Sequence, residues 1–286
     1  MLASSDVRQV GLIFLVSLAS VVVLAQVVLA KDRTPRVVLL GSGDHVSVLV
    51  VAGDARMLIA TGTDGAAFLN AFSSALPFTD RHVDMLVIAG GKADLPVAAA
   101  AHSSIDAGRT FVLDGDLTTS LDDLHLDAGA LLSGGKKLIL SPDLSVSLET
   151  AAIPNGDKTI QGWQAIVEHG KTRVRIVSDA RLLRAFRDRR SASALVIATK
   201  PDAVQLPASF LSLVIPASVS DATPLIPANI DSLPVAKVES GRPLTLRFTS
   251  IGLTLPKSAR SITRVASQTA EPPQAAIAET IVALGS

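Results

Sequence analysis

The chain has 286 residues, 48% of them apolar, which suffices for one domain of mixed class with a large buried core. It contains no cysteine, so thiolate metal sites, disulfides and thiol nucleophiles are excluded. Its formal charge is zero, which removes any global case for nucleic-acid binding and leaves only local patches to carry one.

Residues 1–9 form a short flank that includes Arg8. Val10 to Ala30 is an uncharged apolar run, long enough to cross a bilayer as one helix of roughly 20 residues. No polar face interrupts it, so a surface-lying amphipathic helix is disfavoured. Arg8 before the run and Val28-Leu29-Ala30 at its end fit a secretory signal, or an uncleaved signal anchor that leaves the body outside the cytoplasm. Lys31, Arg33 and Arg36 follow the run, and the positive-inside bias points to a cytoplasmic body instead. Flanks this short carry little weight, and the expectation is a single-pass membrane protein with an extracytoplasmic body.

From Val37 the chain reads as apolar runs separated by Gly and Asp turns, a β-meander. Phe68, Phe72 and Leu76 recur every four residues in an Ala-rich stretch, which predicts a helix over 65–76. A strand over 84–88, a helix over about 95–105 and a strand over 110–113 complete a β-α-β-α-β order. In the second half, strands are expected at 137–140, 146–149, 164–169 and 173–178, the last two joined by a hairpin turn at His169-Gly170. A helix over 179–190 and a strand over 194–198 follow. Residues 201–243 are Pro-rich and read as loop with one or two short strands, and 244–255 as a closing hairpin. Residues 258–286 read as a mobile tail. Strands in both halves, each with helices, predict an α/β (α+β) chain in which two packed sheets carry helices outside, an αββα sandwich over 37–257 preceded by one transmembrane helix over 10–30.

Several segments, in order, resemble the metallo-β-lactamase-like domain at the end of ComEC-type DNA-internalisation (competence) proteins. Gly41-Ser42-Gly43-Asp44 is similar to that family's GQGD turn, and Leu58-Ile59-Ala60-Thr61-Gly62 to its LIDTG strand end. Asp84 to Asp94, DMLVIAGGKAD, resembles the DALVLTHPHADH strand and loop at identical spacing. Trp163 to Ala180 resembles the hairpin that ends in TGDA, Ala194 to Pro201 the strand that ends in HHG, and Val235 to Leu255 the closing hairpin.

The resemblance implies the fold and a place for a dinuclear zinc site, but the ligand positions have changed. The aspartate of the LIDTG strand end falls on Ala60, the two loop histidines on Gly90 and Lys92, the third on Leu95, and the terminal histidine pair on Thr199 and Lys200. Asp94 and Asp179 alone keep a ligand-type side chain. Catalytic zinc takes about three protein ligands and a water whose pKa it lowers. Two carboxylates fall short of that, and Lys92 adds a cation expected to pair with Asp94 or Asp179. The expectation is a site with no metal, no cofactor and no catalytic residue.

Other constellations are weaker. The five histidines, at 45, 82, 102, 125 and 169, have no ligand spacing and read as turn and surface residues. The acidic residues 114, 116, 122, 123 and 127 lack the calcium-loop pattern. No Walker loop and no GxSxG element occurs. Lys171 to Arg190 is the one basic stretch, eight Lys or Arg against two Asp. On a helix from Asp179, Arg181, Arg184 and Arg187 form a stripe continued by Arg189 and Arg190, with Leu182, Leu183 and Phe186 toward the core. Such a stripe suits phosphates of nucleic acid or lipid, yet with no Tyr and one Trp the chain lacks stacking partners, and a solvated face is favoured. The reading is a membrane-anchored pseudo-enzyme acting as a structural or binding module with a protein partner in a membrane assembly. The alternative is a metal-dependent hydrolase or phosphodiesterase, or a DNA-binding factor in DNA uptake.

Overall fold

β-branched runs punctuated by tight turns form the strands that the sequence announces. In the computed structural model, residues 34–263 are described apart from 77–80, 114–129, 133–134, 156–157, 189, 202–205, 208, 228–229 and 231. The first half contains β1 (Arg36–Ser42), β2 (His45–Ala52), β3 (Ala55–Ala60), helix α1 (Gly65–Ala75), β4 (His82–Ile88), helix α2 (Leu95–Ser104), β5 (Asp106–Val112) and β6 (Ala130–Leu131). The second contains β7 (Lys136–Ser141), β8 (Leu144–Asn155), β9 (Lys158–His169), β10 (Thr172–Val177), β11 (Ala194–Ile197), β12 (Leu213–Pro216), β13 (Ser232–Val238), β14 (Pro243–Thr249), β15 (Gly252–Thr254) and β16 (Arg260–Thr263).

These strands form two mixed sheets of eight. The first has the order β15-β14-β1-β2-β3-β4-β5-β6 and the second β16-β13-β12-β11-β10-β9-β8-β7. Both rows of inward side chains, among them Leu39, Val48, Ile59, Val146, Trp163, Val174 and Val196, meet in one core between the sheets. On its outer face the first sheet carries α1 and α2. Asp64 caps α1 by accepting from the Ala67 N–H at 2.9 Å, and the helix buries Phe68, Ala71 and Phe72. Pro96 in the first turn of α2 suits a helix start, and Val97, Ala98 and Ala101 pack the same apolar layer.

The architecture is thus a mixed α+β two-sheet sandwich, but the αββα expectation needs correction. Among the described residues no α-helix covers the second sheet, whose outer apolar layer is closed by 3-10 turns and irregular chain. The helix expected over 179–190 is a single 3-10 turn, Ala180–Arg184. In an α-helix the Leu183 carbonyl would accept from the Arg187 N–H. Here that carbonyl accepts from Arg175 Nη2 at 3.3 Å, while the Arg187 N–H donates to Glu149 Oε1 at 3.0 Å. Side chains from β10 and β8 have taken both groups, and helical pairing ends there. Leu182, Leu183 and Phe186 are nonetheless buried as expected.

The tail also starts later than 258, because Arg260–Thr263 pairs antiparallel with β13. The apolar run 10–30 and the acidic residues 114–127 lie outside the described residues. Among the described ones no helix is long and apolar enough to cross a membrane.

Leu39, with no exposed surface, lies in the inter-sheet core with Trp163, the chain's single tryptophan. Leu39→Ala is expected to cost about 2–5 kcal/mol in urea unfolding followed by Trp163 fluorescence, against about 0.5 kcal/mol or less for Ile139→Ala, whose side chain is 75% exposed.

Candidate functional site

At the end of the sandwich where β1, β3, β4, β10 and β11 finish, the turns that follow them converge. β3 and β4 run parallel with Ala60 beside Ile88, so the 61–62 and 89–94 segments leave the sheet side by side. The Ala89 N–H donates to the Ala60 carbonyl at 2.9 Å, extending that pairing one residue. Across the core, the Val46 N–H donates to the Ala198 carbonyl at 2.7 Å and the Lys200 N–H to the Asp44 carbonyl at 3.0 Å. His45 and Thr199 form an isolated bridge between them. The two sheets are therefore stapled together beside the site by backbone alone.

Asp94 is the centre of this end. It is 6% exposed and closes a 3-10 turn, Lys92–Asp94, that leads into α2. Its Oδ1 accepts from the Gly62 N–H at 2.6 Å and the Thr61 hydroxyl at 2.8 Å, and its Oδ2 from the Gly91 N–H at 2.9 Å. Thr61 is fixed in turn: its N–H donates to Ser47 Oγ at 3.0 Å, and its carbonyl accepts from Ser47 Oγ at 2.6 Å and Ser42 Oγ at 2.9 Å. His45 Nε2 stands 4.0 Å from Asp94 Oδ1, and its Nδ1 is buried with no hydrogen-bond partner among the described residues.

The glycine at 90 follows from that carboxylate and the one at 62 from Ser42 beside it. Gly90 has φ +122° and a Cβ there would fall 2.2 Å from Asp94 Oδ2, while Gly62 has φ +132° and a Cβ there would fall 2.1 Å from Ser42 Oγ. The backbone approaches the buried polar groups too closely for any side chain.

The remaining predicted positions offer no donor set. Ala60 is buried at the end of β3, Leu95 packs its side chain toward the α1/α2 layer, and Gly90 presents only backbone. Lys92 and Lys200 are exposed. The expected pairing of Lys92 with an aspartate does not occur, because both aspartates are already satisfied from their own neighbourhoods. Asp179 caps the 3-10 turn by accepting from the Arg181 N–H at 2.8 Å and holds the Arg181 guanidinium through Nε at 3.0 Å and Nη2 at 2.5 Å. Thr199 donates its hydroxyl to the Ser178 carbonyl at 2.5 Å.

A catalytic zinc does not fit this arrangement. Among the described residues no three of His, Asp and Glu gather within ligating reach. Three of the roughly four acceptor positions of the Asp94 carboxylate are taken by protein donors, which leaves Oδ2 one position and, among the described residues, no neighbouring His, Asp or Glu pair to complete a zinc site.

The basic stripe dissolves in the same way. Arg181 belongs to Asp179. Arg190 Nη2 pairs with Asp188 Oδ2 at 2.6 Å and Glu168 Oε1 at 3.3 Å, in a network with Arg173 and Lys137. Arg184 and Arg187 are exposed, and Arg189 lies outside the described residues. Arg181 and Arg184 sit on a 3-10 turn that ends at Arg184, and Arg187 and Arg190 lie beyond it, so these four do not share a helical face.

Sequence reasoning overlooked His45, Ser42, Ser47 and Thr61. The local signal was the Gly41 to Asp44 turn, which places residue 45 at the head of β2 and hence at this end.

No family model and no curated protein matches the chain at the level of sequence. Among solved structures it is similar to Zn(2+)-bound PqqB from Methylobacterium extorquens, with TM-score 0.43 and 15% identity over 57% of this chain and 72% of that one. It is similar to a diphosphatase from the PhnP family, with TM-score 0.42 and 12% identity over 78% of this chain and 100% of that one. The metallo-β-lactamase SMB-1 bound to 2-mercaptoethanesulfonate gives TM-score 0.39 and 18% identity over 59% of this chain and 78% of that one. At scores and identities this low, the likeness carries no inference about chemistry.

Asp94→Ala leaves buried N–H groups unpaired and is expected to cost roughly 3 kcal/mol in chemical denaturation, whereas exposed Lys92→Ala is neutral. Gly90→Ala is also destabilising, and the double change costs less than the sum because removing the carboxylate relieves the Cβ clash. Asp188 is held below its ordinary 3.8, at about 2, first by the Arg190 side-chain hydrogen bond, with burial opposing and Arg173 assisting. A depressed carboxylate stabilises the fold above its unfolded pKa and loses that contribution as pH falls through the folded one, here between about pH 4 and about pH 2. Acid titrations of wild type and Asp188→Asn should differ in stability above that window and converge below it.

Proposed function

We propose that this chain is a membrane-anchored, metal-free relative of the ComEC-type metallo-β-lactamase-like domain, and that it works as a structural or binding module for a protein partner in a membrane-associated assembly. The observation that carries the reading is the use made of Asp94. In a hydrolase of that family an aspartate at this position serves the metal. Here the protein's own Gly62, Gly91 and Thr61 donate to both carboxylate oxygens, so the side chain ties the β3 end to the loop after β4. The other seats, Ala60, Gly90, Lys92, Leu95, Thr199 and Lys200, bring no imidazole or carboxylate, and Asp179 is spent on Arg181.

Retained turn lengths with exchanged ligands support a fold kept for its shape. The apolar run 10–30 supports anchorage, with the body outside the cytoplasm. Nucleic acid is not favoured as partner, since Arg181 and Arg190 are committed to carboxylates and the stacking residues that hold single strands are lacking.

Elemental analysis of the full chain purified without chelator tests the reading. The expected result is zinc, manganese and magnesium far below one per chain, unchanged in Asp179→Ala, with a stability loss of about 1 kcal/mol from the missing cap. Stoichiometric metal that disappears together with phosphodiester hydrolysis in Asp179→Ala would overturn it.

A further inference from the structure

The strands of the sandwich run between two poles. β1 ends at Ser42 beside the Asp94 site and begins at Arg36 at the other pole, where the β14–β15 turn carries exposed Ile251. The hairpin of β8 and β9 outruns its neighbours. Its strands pair from Leu144 with His169 to Asn155 with Lys158, whereas β7 follows β8 only to Leu148 and β10 follows β9 only to Gln164. One further contact holds Trp163, whose carbonyl accepts from the Ser178 N–H at 2.9 Å and whose N–H donates to Ser178 Oγ at 2.9 Å. Thr199, which bridges to His45, donates to the Ser178 carbonyl, so Trp163 is level with the Asp94 pole. Residues 150–155 and 158–162 therefore form a two-stranded ribbon that projects past this pole. Beyond Asp179 the chain leaves β10 for the 3-10 turn, whose Leu182 packs on the outer face of the ribbon at Gly162.

Main-chain direction alternates along a strand. With Trp163 turned toward β10, the N–H and C=O groups of Gln161 and Thr159 turn to the same side, where β10 no longer runs. Both residues are exposed, and these groups meet no partner among the described residues. An open edge of this kind invites another strand, and the other edges are guarded. β6, β15 and β16 have only two, three and four residues, β7 opens with exposed Lys136 and Lys137, and the β8 side of the ribbon holds Pro154, which has no N–H to offer. Residues 159–162 carry neither charge nor proline.

Residues 264–286 follow β16. Their one run of three β-branched residues, Thr280-Ile281-Val282, has strand-forming side chains and continues uncharged to Leu284. β16 flanks the sheet on the side that the open edge of β9 faces. Through the pairings of β13, β12 and β11, Thr263 is level with Thr172 of β10. The slot beside Gln161 then lies about 19 Å across, at four strand spacings, and about 26 Å along, at eight residues. The sixteen residues between Thr263 and Thr280 reach up to about 55 Å, which suffices.

We propose that residues 280–284 dock within the same chain as an added strand on β9, pairing with the main chain of Thr159 and Gln161. One row of their side chains extends the half-buried row of Ile153 and Ile160 over the outer apolar layer, and the other lies beside Thr159 and Gln161. The docked strand covers the ribbon at the Asp94 pole, and a partner strand that uses this edge has to displace it.

Amide exchange followed by NMR on the isotope-labelled full chain in detergent micelles tests the docking. The Gln161 or Thr159 amide is expected to be protected. The double change Ile281→Pro/Val282→Pro removes a ladder donor in either register, and is expected to speed that exchange about tenfold or more while the core amide of Ile59 stays protected. Rapid exchange at both positions in the unchanged chain, or protection that survives the double change, overturns the proposal. A nitroxide on Ala283→Cys, usable because the chain has no cysteine, gives a second reading without proline. It should broaden the Gln161 amide signal, and a signal left sharp overturns the docking. Broadening that appears only when isotope-labelled chain is mixed with separate nitroxide-bearing chain places the strand of one copy on another, and overturns docking within one chain.

Discussion

One buried carboxylate organises the end of this sandwich. Asp94 receives two backbone N–H groups and a hydroxyl, from segments on either side of the β3/β4 pair. Hydrogen bonds made in a dry setting are costly to lose, and removing the acceptor would strand its donors. The glycine at 90 is required by this carboxylate, and the Ser42/Ser47/Thr61 chain, which Gly62 crowds, holds the segment that donates to it. A metal ion and a set of backbone donors are alternative solutions to the same problem, which is how to hold a carboxylate where several loops meet. In this structure two backbone N–H groups and a hydroxyl hold it.

Much of the layout was legible because its signals are local. Alternating β-branched residues and Gly or Asp turns specify strands without reference to distant partners, and Phe68, Phe72 and Leu76 at four-residue spacing specify α1. The 179–190 segment was misread because its periodicity is helical while its backbone groups are claimed from elsewhere, Leu183 by Arg175 and Arg187 by Glu149. β16 was missed because four mostly polar residues have no period of their own and gain a partner only in β13.

The site divides along the same line. The losses at Ala60, Gly90, Lys92, Leu95, Thr199 and Lys200 are visible in the sequence as residue types. What Asp94 does instead is not, because its donors at 61 and 62 lie more than thirty residues away and meet it only through the parallel β3/β4 register. His45 is the sharper case. Nothing in its spacing marks it, yet the bridge to Thr199 brings it against Asp94. The two poles then have different characters: one is fixed by a buried polar network and exposes lysines, while the other carries hairpin tips, an exposed isoleucine and the incoming chain.

The central claim is that protein donors, and not a metal, hold Asp94. Native-state hydrogen exchange at the Gly62 and Gly91 amides, with and without excess zinc, measures this directly. The account predicts that both amides exchange slowly, near the rate set by global unfolding, and that zinc leaves them unchanged. Rapid exchange at either amide in the metal-free protein, or loss of protection when zinc draws the carboxylate away, would contradict it.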